Sequence, residues 1–486
     1  MINMDKYFIG IDIGTQGARV LLSDQHGNAI AQQQKGFALT ELTRQQQSPS
    51  EWWQACELCL ATLLEATSTE IKKSIIAIGV TSTSGTVIPL DSDGLPLHDA
   101  LMYSDQRSAS VAERCSSAAK GAGAKFTAFG SSTSLAKMVW FAEQYPELNK
   151  RVDKWVHAAD YITGKITGSF SYTDYTNSFK SGYDLQAKKW PDYLFGELGL
   201  RREWMLEVVP SGKVIGYINK NLAKSLKIGN QVEVVAGITD GCASQIAAGA
   251  TALGQWNTTI GTTMVIKGVS SALVQDEKGR IYSHLHPSGY WMPGGASNTG
   301  ADWVSGEFAG ELDLLNELAE GLIPSAQLSY PLVQKGERFP FIAPQARGFE
   351  QADLTKAERY TANMQGVAYM ERYGYELISA ISGEPIKEIF TAGGASSSAV
   401  WLRIRSSVMN LPIYKMKHVS GAMGAAILAA SGSFFGDLPQ AAKAMNQIEL
   451  AVFPERELVE AYEINYQRFL DTLIEKGWIT REGLYA

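Results

Sequence analysis

The first two dozen or so residues read as strand, tight turn, strand. Tyr7-Phe8-Ile9-Gly10-Ile11 is rich in β-formers, Asp12-Ile13-Gly14-Thr15-Gln16-Gly17 is a glycine turn, and Ala18-Arg19-Val20-Leu21-Leu22 returns. Asp24-Gln25-His26-Gly27-Asn28 is a second turn, so an antiparallel meander is predicted. Ser48-Pro49-Ser50-Glu51 then combines a capping box with proline at the first helical position. Behind it Trp52, Cys56, Leu60 and Leu63 keep helical spacing, which predicts a helix to about Glu65. Ile75-Ile76-Ala77-Ile78-Gly79-Val80 is a short apolar run of the kind that makes a buried central strand. Strands alternate with helices from there on, which places the fold in the α/β class.

The opening pattern returns in mid-chain. Trp256-Asn257-Thr258-Thr259-Ile260-Gly261-Thr262-Thr263-Met264-Val265-Ile266 is again strand, Gly-Thr turn, strand, and Gly249 to Gly254 before it reads as a helix end and connector. The simplest parsing is two halves, 1–253 and 254–486, related at the level of this motif and not residue by residue. A small-residue helix, Ser420 to Ala430 with Gly421 and Gly424, allows close packing and is expected beside the second half's sheet.

Composition narrows the function classes. At 486 residues the chain can bury a large core without staples, and 45% apolar with 19% charged residues excludes disorder. A formal charge of −7 without a Lys/Arg block argues against nucleic acid as a partner, yet not against phosphate, which backbone amides can bind. No uninterrupted apolar run reaches about 18 residues, so no membrane partner is expected. Asp5, Lys6 and Asp12 interrupt the stretch where a leader's apolar core would sit, and a cytoplasmic location is the expectation. Cys56 and Cys59 share a helix face, while Cys115 and Cys242 are isolated, so reduced and packed cysteines are expected. His284 and His286 lack a third ligand nearby in sequence.

Three segments carry candidate chemistry. In Asp12 to Gly17 the glycines let amides approach a phosphate and Thr15 adds a hydroxyl. A dinucleotide fingerprint would need glycine at position 12, and the aspartate there suits a phosphate only with Mg²⁺ between them. No G-x-x-x-x-G-K-[ST] occurs. The second segment, Ala236 to Ser244, delivers Asp240 from a strand to the start of a helix. There it can serve as general base toward a bound hydroxyl, or simply cap the helix. The third, Phe390 to Ser398, is a strand-Gly-Gly-helix junction of the kind that opens a slot for ribose or adenine. Three phosphate-type turns, two acids and no Walker motif point to an ATP-binding, duplicated actin-like (ribonuclease H-like) fold with two domains and a central cleft.

Two further stretches sharpen this. Ser132-Thr133-Ser134-Leu135-Ala136-Lys137-Met138-Val139-Trp140-Phe141-Ala142-Glu143-Gln144 and Gly366-Val367-Ala368-Tyr369-Met370-Glu371-Arg372 resemble the two signatures of the FGGY carbohydrate kinases, and matching landmarks run from residue 9 to about 430. The resemblance implies that Asp240 is the catalytic base and touches the sugar. It also implies that Asp12 lies near Mg²⁺, directly or through water, and close to the substrate, with Asp240 a second metal contact. Gly14, Thr15, Gln16 and Gly17 match the first phosphate loop and Gly261, Thr262 and Thr263 the second. Gly300 and Ala301 fall near the nucleotide, and Gly393, Gly394, Ala395, Ser396 and Ser397 match the adenosine motif.

Family members usually carry Ser where this chain has Gly17. The Gly-Thr-x-Gly-Ala-Arg variant, Thr83-Ser84-Gly85-Thr86-Val87 and Met102-Tyr103-Ser104-Asp105-Gln106-Arg107 are similar to the D-ribulose kinase branch. Glycerol kinases carry Arg-Glu after the strand ending at Val80 and xylulose kinases Met-His; this chain has small hydroxyl side chains there. Ser84 is the best sugar contact, followed by Asp105 and Arg107, for which a structural salt bridge is the competing reading. The expectation is an ATP- and Mg²⁺-dependent ketopentose kinase, D-ribulose first, with D-xylulose or another polyol or sugar as the alternative. A non-catalytic sugar- or nucleotide-binding regulator is the contrasting reading. The expected partners are a small sugar and ATP, with a homodimer left open.

Overall fold

A computed structural model describes residues 5–485. The chain forms two compact units. The first takes the chain as far as Ala247, together with His284–Gly289 and His418–Asn446. The second takes Ala248–Ser283, Tyr290–Lys417 and the chain from Gln447 onward.

In the first unit the predicted meander forms as β1 (Tyr7–Gly14), β2 (Gly17–Asp24) and β3 (Ala29–Gly36), each antiparallel to the next. The helix α1 (Pro49–Glu65) begins at Ser48, whose hydroxyl accepts from the Glu51 amide, the Ser48 half of the expected box. The apolar run becomes β4 (Ile75–Ser82), parallel to β1. After the short helix α2 (Tyr175–Phe179) come β5 (Val214–Tyr217), β6 (Glu233–Val235) and β7 (Ile238–Thr239), and then α3 (Asp240–Ala248). The sheet order is β5-β6-β4-β1-β2-β3, with β7 also pairing β4.

Alternation along β1 sorts its two faces. Ile9, Ile11 and Ile13 join one apolar cluster with Trp52, Cys56, Leu60 and Leu63 of α1. The opposite face presents Gly10 and Asp12, and what covers it is the Gly421–Ala430 helix. A Cβ on Gly10 would lie 1.8 Å from the Ala422 carbonyl oxygen, and one on Gly79 would lie 2.2 Å from that of Ala425. Gly10 and Gly79 are register partners, so the sheet offers a side-chain-free groove two strands wide. Gly424 in turn would meet the Ala243 carbonyl of α3 at 2.0 Å. The small-residue helix therefore packs on the first sheet and not, as its position in the sequence suggested, on the second.

The second unit repeats the plan with β8 (Gln255–Ile260), β9 (Met264–Gly268), β10 (Ile281–Leu285), β11 (Trp291–Ser297), the long helix α4 (Lys356–Ser382), β12 (Glu388–Ala392), α5 (Ala399–Met409), β13 (Ile413–Met416), β14 (Ile448–Val452) and α6 (Arg456–Glu475). Its order is β10-β11-β9-β8-β12-β13-β14. The senses of β8-β9-β11 and β8-β12-β13-β14 match those of β1-β2-β3 and β1-β4-β6-β5 strand for strand. Two connections differ: β10 comes between β9 and β11 in sequence and adds an edge beyond β11, and the other edge is reached in a different order. The outer antiparallel strand precedes its neighbour in the first unit (β5 before β6) and follows it in the second (β14 after β13). All four cysteines are buried and none forms a disulfide, as expected. No single helix among the described residues is long and apolar enough to cross a membrane.

The glycine groove yields a test. Gly10→Ala and Gly79→Ala force a methyl into helix backbone and should each lower unfolding stability by at least about 1–3 kcal/mol in a denaturant titration. Gly130→Ala, where a Cβ meets nothing within 4 Å, should stay within about 0.5 kcal/mol of the parent.

Candidate functional site

In the first unit two carboxylates come together. Asp12 sits near the end of β1, paired in register with Arg19 on β2 and Thr81 on β4. The Arg19 guanidinium approaches its Oδ2 at 3.8 Å. Burial, and after it the charge of Asp240, pushes the Asp12 carboxyl up to about 6, with Arg19 acting in the opposite sense. Asp240 is the first residue of α3, and its Oδ1 accepts from the Gly241 amide at 2.7 Å. Gly421, at the start of the small-residue helix, completes the group: a Cβ there would lie 2.8 Å from Asp12 Oδ2. Sequence reasoning had found both acids but not Gly421, because it assigned that helix to the other sheet.

The first phosphate-type loop is tighter than predicted. β1 runs to Gly14 and β2 starts at Gly17, leaving Thr15 and Gln16 as the turn. The Thr15 carbonyl accepts from Gln47 Nε2 at 3.0 Å, and the Gln16 carbonyl from the Phe37 amide at 2.9 Å. Gly17 has a packing reason of its own, since a Cβ there would lie 2.5 Å from the Lys35 carbonyl oxygen on β3.

The candidate sugar contacts lie around a small sheet of Gln46–Gln47, Ala100–Leu101, Val87–Leu90 and Lys154–His157. Ser84 Oγ is buried with no hydrogen-bond partner in the protein, whereas Thr83 and Thr86 bond each other at 2.9 Å. Asp105 and Arg107 are satisfied by one another. Arg107 Nε and one terminal nitrogen donate to the Asp105 carboxylate at 2.8–3.1 Å, and that terminal nitrogen also donates to Gln46. The guanidinium lies 4.9 Å from the Trp140 ring centroid. Lys137, read from the sequence only as part of a signature, is fully buried and donates to the Ser131 carbonyl. Burial pulls its ammonium down to about 7, with Asp105 opposing and Lys180 reinforcing the shift.

The second unit brings its three predicted segments together. Gly261-Thr262-Thr263 is the turn between β8 and β9. The Ala301 amide donates to the Gly261 carbonyl at 2.7 Å, and Gly300 packs so closely that a Cβ would lie 2.6 Å from the Thr262 carbonyl oxygen. Gly393, at φ +86°, abuts the Ile260 carbonyl, where a Cβ would come within 2.3 Å. Gly394–Ser397 follows as a 3₁₀ turn in which the Ser396 hydroxyl donates to the Gly393 carbonyl at 2.7 Å. The result is a concentration of bare backbone at the ends of β8 and β12, suited to a large, flat, phosphate-bearing ligand.

Residues 7–247 match the model of the N-terminal domain of the FGGY family of carbohydrate kinases, and residues 256–433 match its C-terminal domain. The chain is 25% identical to a gluconokinase from Bacillus licheniformis over 452 residues, 87% of each chain. It is also 25% identical to a xylulose kinase from Bacillus subtilis over 479 residues, 94% of this chain and 95% of the relative. A crystal structure of a xylulose kinase from Rhodospirillum rubrum superposes with a TM-score of 0.83 at 22% identity, covering 97% of this chain and 99% of that one. The repeated sheet plan is the duplicated actin-like fold, and this chain belongs to the FGGY family of carbohydrate kinases: it is a sugar kinase.

Proposed function

We propose that this kinase transfers the γ-phosphoryl group of ATP to a hydroxyl of a ketopentose, D-ribulose first and D-xylulose second. The observation that carries the reading is the pair Asp240 and Asp12, an acid at a helix start beside a second, half-buried acid. Asp240 takes the proton from the attacking sugar hydroxyl, and the first unit supplies the sugar contacts, Ser84 foremost. An unpartnered buried hydroxyl is a costly feature unless a ligand hydroxyl completes it, and a sugar does so. Asp105 and Arg107, already satisfied by each other, are the secondary contacts. In the first unit the amides of Gly14–Gly17 are the phosphate-binding group; in the second, those of Gly261–Thr263, backed by Gly300-Ala301, take phosphate and Gly393–Ser397 takes the adenosine. Phosphoryl transfer with a loose transition state asks mainly for alignment and charge neutralisation, which such groups provide.

Mg²⁺ fits this donor set. Among the described residues no cluster of three or more His, Cys, Asp or Glu is placed to hold a metal, but Mg²⁺ needs only one or two carboxylates besides phosphates and water. Asp12 and Asp240, close enough for one to raise the other's pKa, would hold it directly or through water. When bound, the ion neutralises phosphate charge. The similarity over most of their length to proteins named gluconokinase and xylulose kinase favours xylulose or gluconate as the second reading for the acceptor.

ADP release coupled to a reporter should be stimulated by D-ribulose with the highest kcat/KM among ribulose, xylulose, gluconate, ribitol and glycerol. Stimulation by none would end this reading, and a win for xylulose or gluconate would replace the acceptor. Asp240→Asn should lower kcat by about 10²–10⁴-fold while ATP affinity stays within about threefold; activity within about tenfold of the parent would remove Asp240 from the base role.

Asp12 also predicts a stability effect without metal. Its folded pKa lies above its unfolded value of about 4, so ionisation opposes folding; the penalty is absent below about pH 4 and complete above about 6. In metal-free protein, Asp12→Asn should therefore gain on the parent as pH rises through that window, by on the order of 1–3 kcal/mol. Parallel stability–pH curves for the two proteins would show that Asp12 ionises normally.

A further inference from the structure

The peptide group joining Ile238 to Thr239, one residue before Asp240, is held at both of its polar ends. The Thr81 hydroxyl on β4 donates to the Ile238 carbonyl at 2.9 Å. From the other side the Thr239 amide donates to the Thr176 hydroxyl of α2, also at 2.9 Å. Thr176 can accept because its one hydroxyl proton is committed elsewhere, to Asp174 Oδ1 at 2.6 Å.

Asp174 itself is wholly buried and surrounded by donors. Its Oδ1 accepts from the Thr176 amide at 2.7 Å, the Asn177 amide at 3.3 Å and the Ser211 hydroxyl at 2.9 Å, and its Oδ2 accepts from Asn177 Nδ2 at 2.5 Å. Capping the five-residue α2 would account for the two amide bonds. It does not account for a buried carboxylate that also orients the Thr176 hydroxyl, which in turn fixes a peptide on a different element.

The geometry points to Asp174, Thr176 and Thr81 as positioning residues that set the direction in which Asp240 leaves the sheet. The inference rests on the reading of Asp240 as the base. β7 is two residues long and among the described residues pairs only with β4, so its ladder bonds fix the peptide plane weakly. The two threonine hydroxyls supply the missing constraint from opposite sides. A side chain that must meet a hydroxyl proton at hydrogen-bond distance loses rate when its backbone rotates by a few tens of degrees, even if the substrate still binds.

The test compares Thr176→Val, which keeps the shape and removes the hydroxyl, with Thr176→Ser, which keeps the hydroxyl. Expected for the valine variant is a kcat lowered about 10–100-fold with sugar KM within about threefold, and for the serine variant recovery to within about threefold of the parent. Hydrogen exchange resolved at the Thr239 amide should be at least about tenfold faster in the valine variant than in the parent or the serine variant. Thr81→Val should give the same kcat loss from the other side, and it stands in should Thr176→Val not fold. A valine variant with parental kcat, a serine variant no better than valine, or unchanged exchange at Thr239 would overturn the proposal. Should the parent release no ADP with any sugar, the kinase reading with Asp240 as base fails, while the exchange readout still decides whether the clamp exists.

Discussion

The close approach of the Gly421–Ala430 helix to the first sheet governs much of the rest. Only glycine at 10 and 79 lets helix carbonyls rest where side chains would otherwise stand. Because β1 alternates, the strand that leaves room at Gly10 presents Asp12 to the same helix, and Gly421 meets its carboxylate. The buried setting that raises the Asp12 pKa is thus a product of glycine packing. It also explains why a segment from late in the sequence belongs to the first unit: the groove is there, and it accepts a helix made almost wholly of Ala and Gly at its contact positions.

The residues that mark the family are largely scaffold. Glu371 of the second signature, on α4, forms a buried bidentate pair with Arg405 on α5 at 2.7 and 2.8 Å, and Arg405 also donates to Thr391 on β12 at 2.8 Å. A buried ion pair of this quality stabilises little against a hydrophobic substitute, but it fixes relative placement, because either charge left alone would be costly. Here it ties two helices to the strand that ends beside Gly393. Gly366 lets α4 approach the Ser329 carbonyl, where a Cβ would lie 2.1 Å away. In the first signature, Trp140 backs the Arg107–Asp105 pair and Lys137 fills a buried position.

Local pattern made β1, β2, α1 and β4 legible, and the returning Gly-Thr turn announced a second sheet that proves to have the same strand senses. Asp240 was visible as an acid carried from a strand to a helix start. The helix at 421–430 was misplaced for a physical reason. Nine of its ten residues are buried, so it has no amphipathic stripe to say which sheet it covers. Complementarity between glycines hundreds of residues apart has no sequence period. The same holds for Thr81 and Thr176, ordinary threonines in sequence that become a clamp only when β4, α2 and β7 meet. Gly17, read first as a mark of substrate branch, has a local steric cause in the Lys35 carbonyl, which weakens it as a guide to the sugar.

What remains is why a chain of charge −7 places two acids side by side. Two acids side by side disfavour each other's ionisation, and the raised pKa of Asp12 reflects burial first and that repulsion second. Arg19 offsets it only in part, since its guanidinium stands 3.8 Å away and is substantially exposed, where solvent screens the attraction. A basic side chain placed directly between the acids would relieve the strain permanently, but it would also neutralise Asp240 in its proposed role as proton acceptor. On the proposed reading, a divalent ion arriving with the phosphates would relieve it only when substrate is present. On the proposed reading, acids left under tension in the resting protein, with glycine amides in place of lysines in the proposed phosphate loops, would make the charge balance of the site depend on the nucleotide itself.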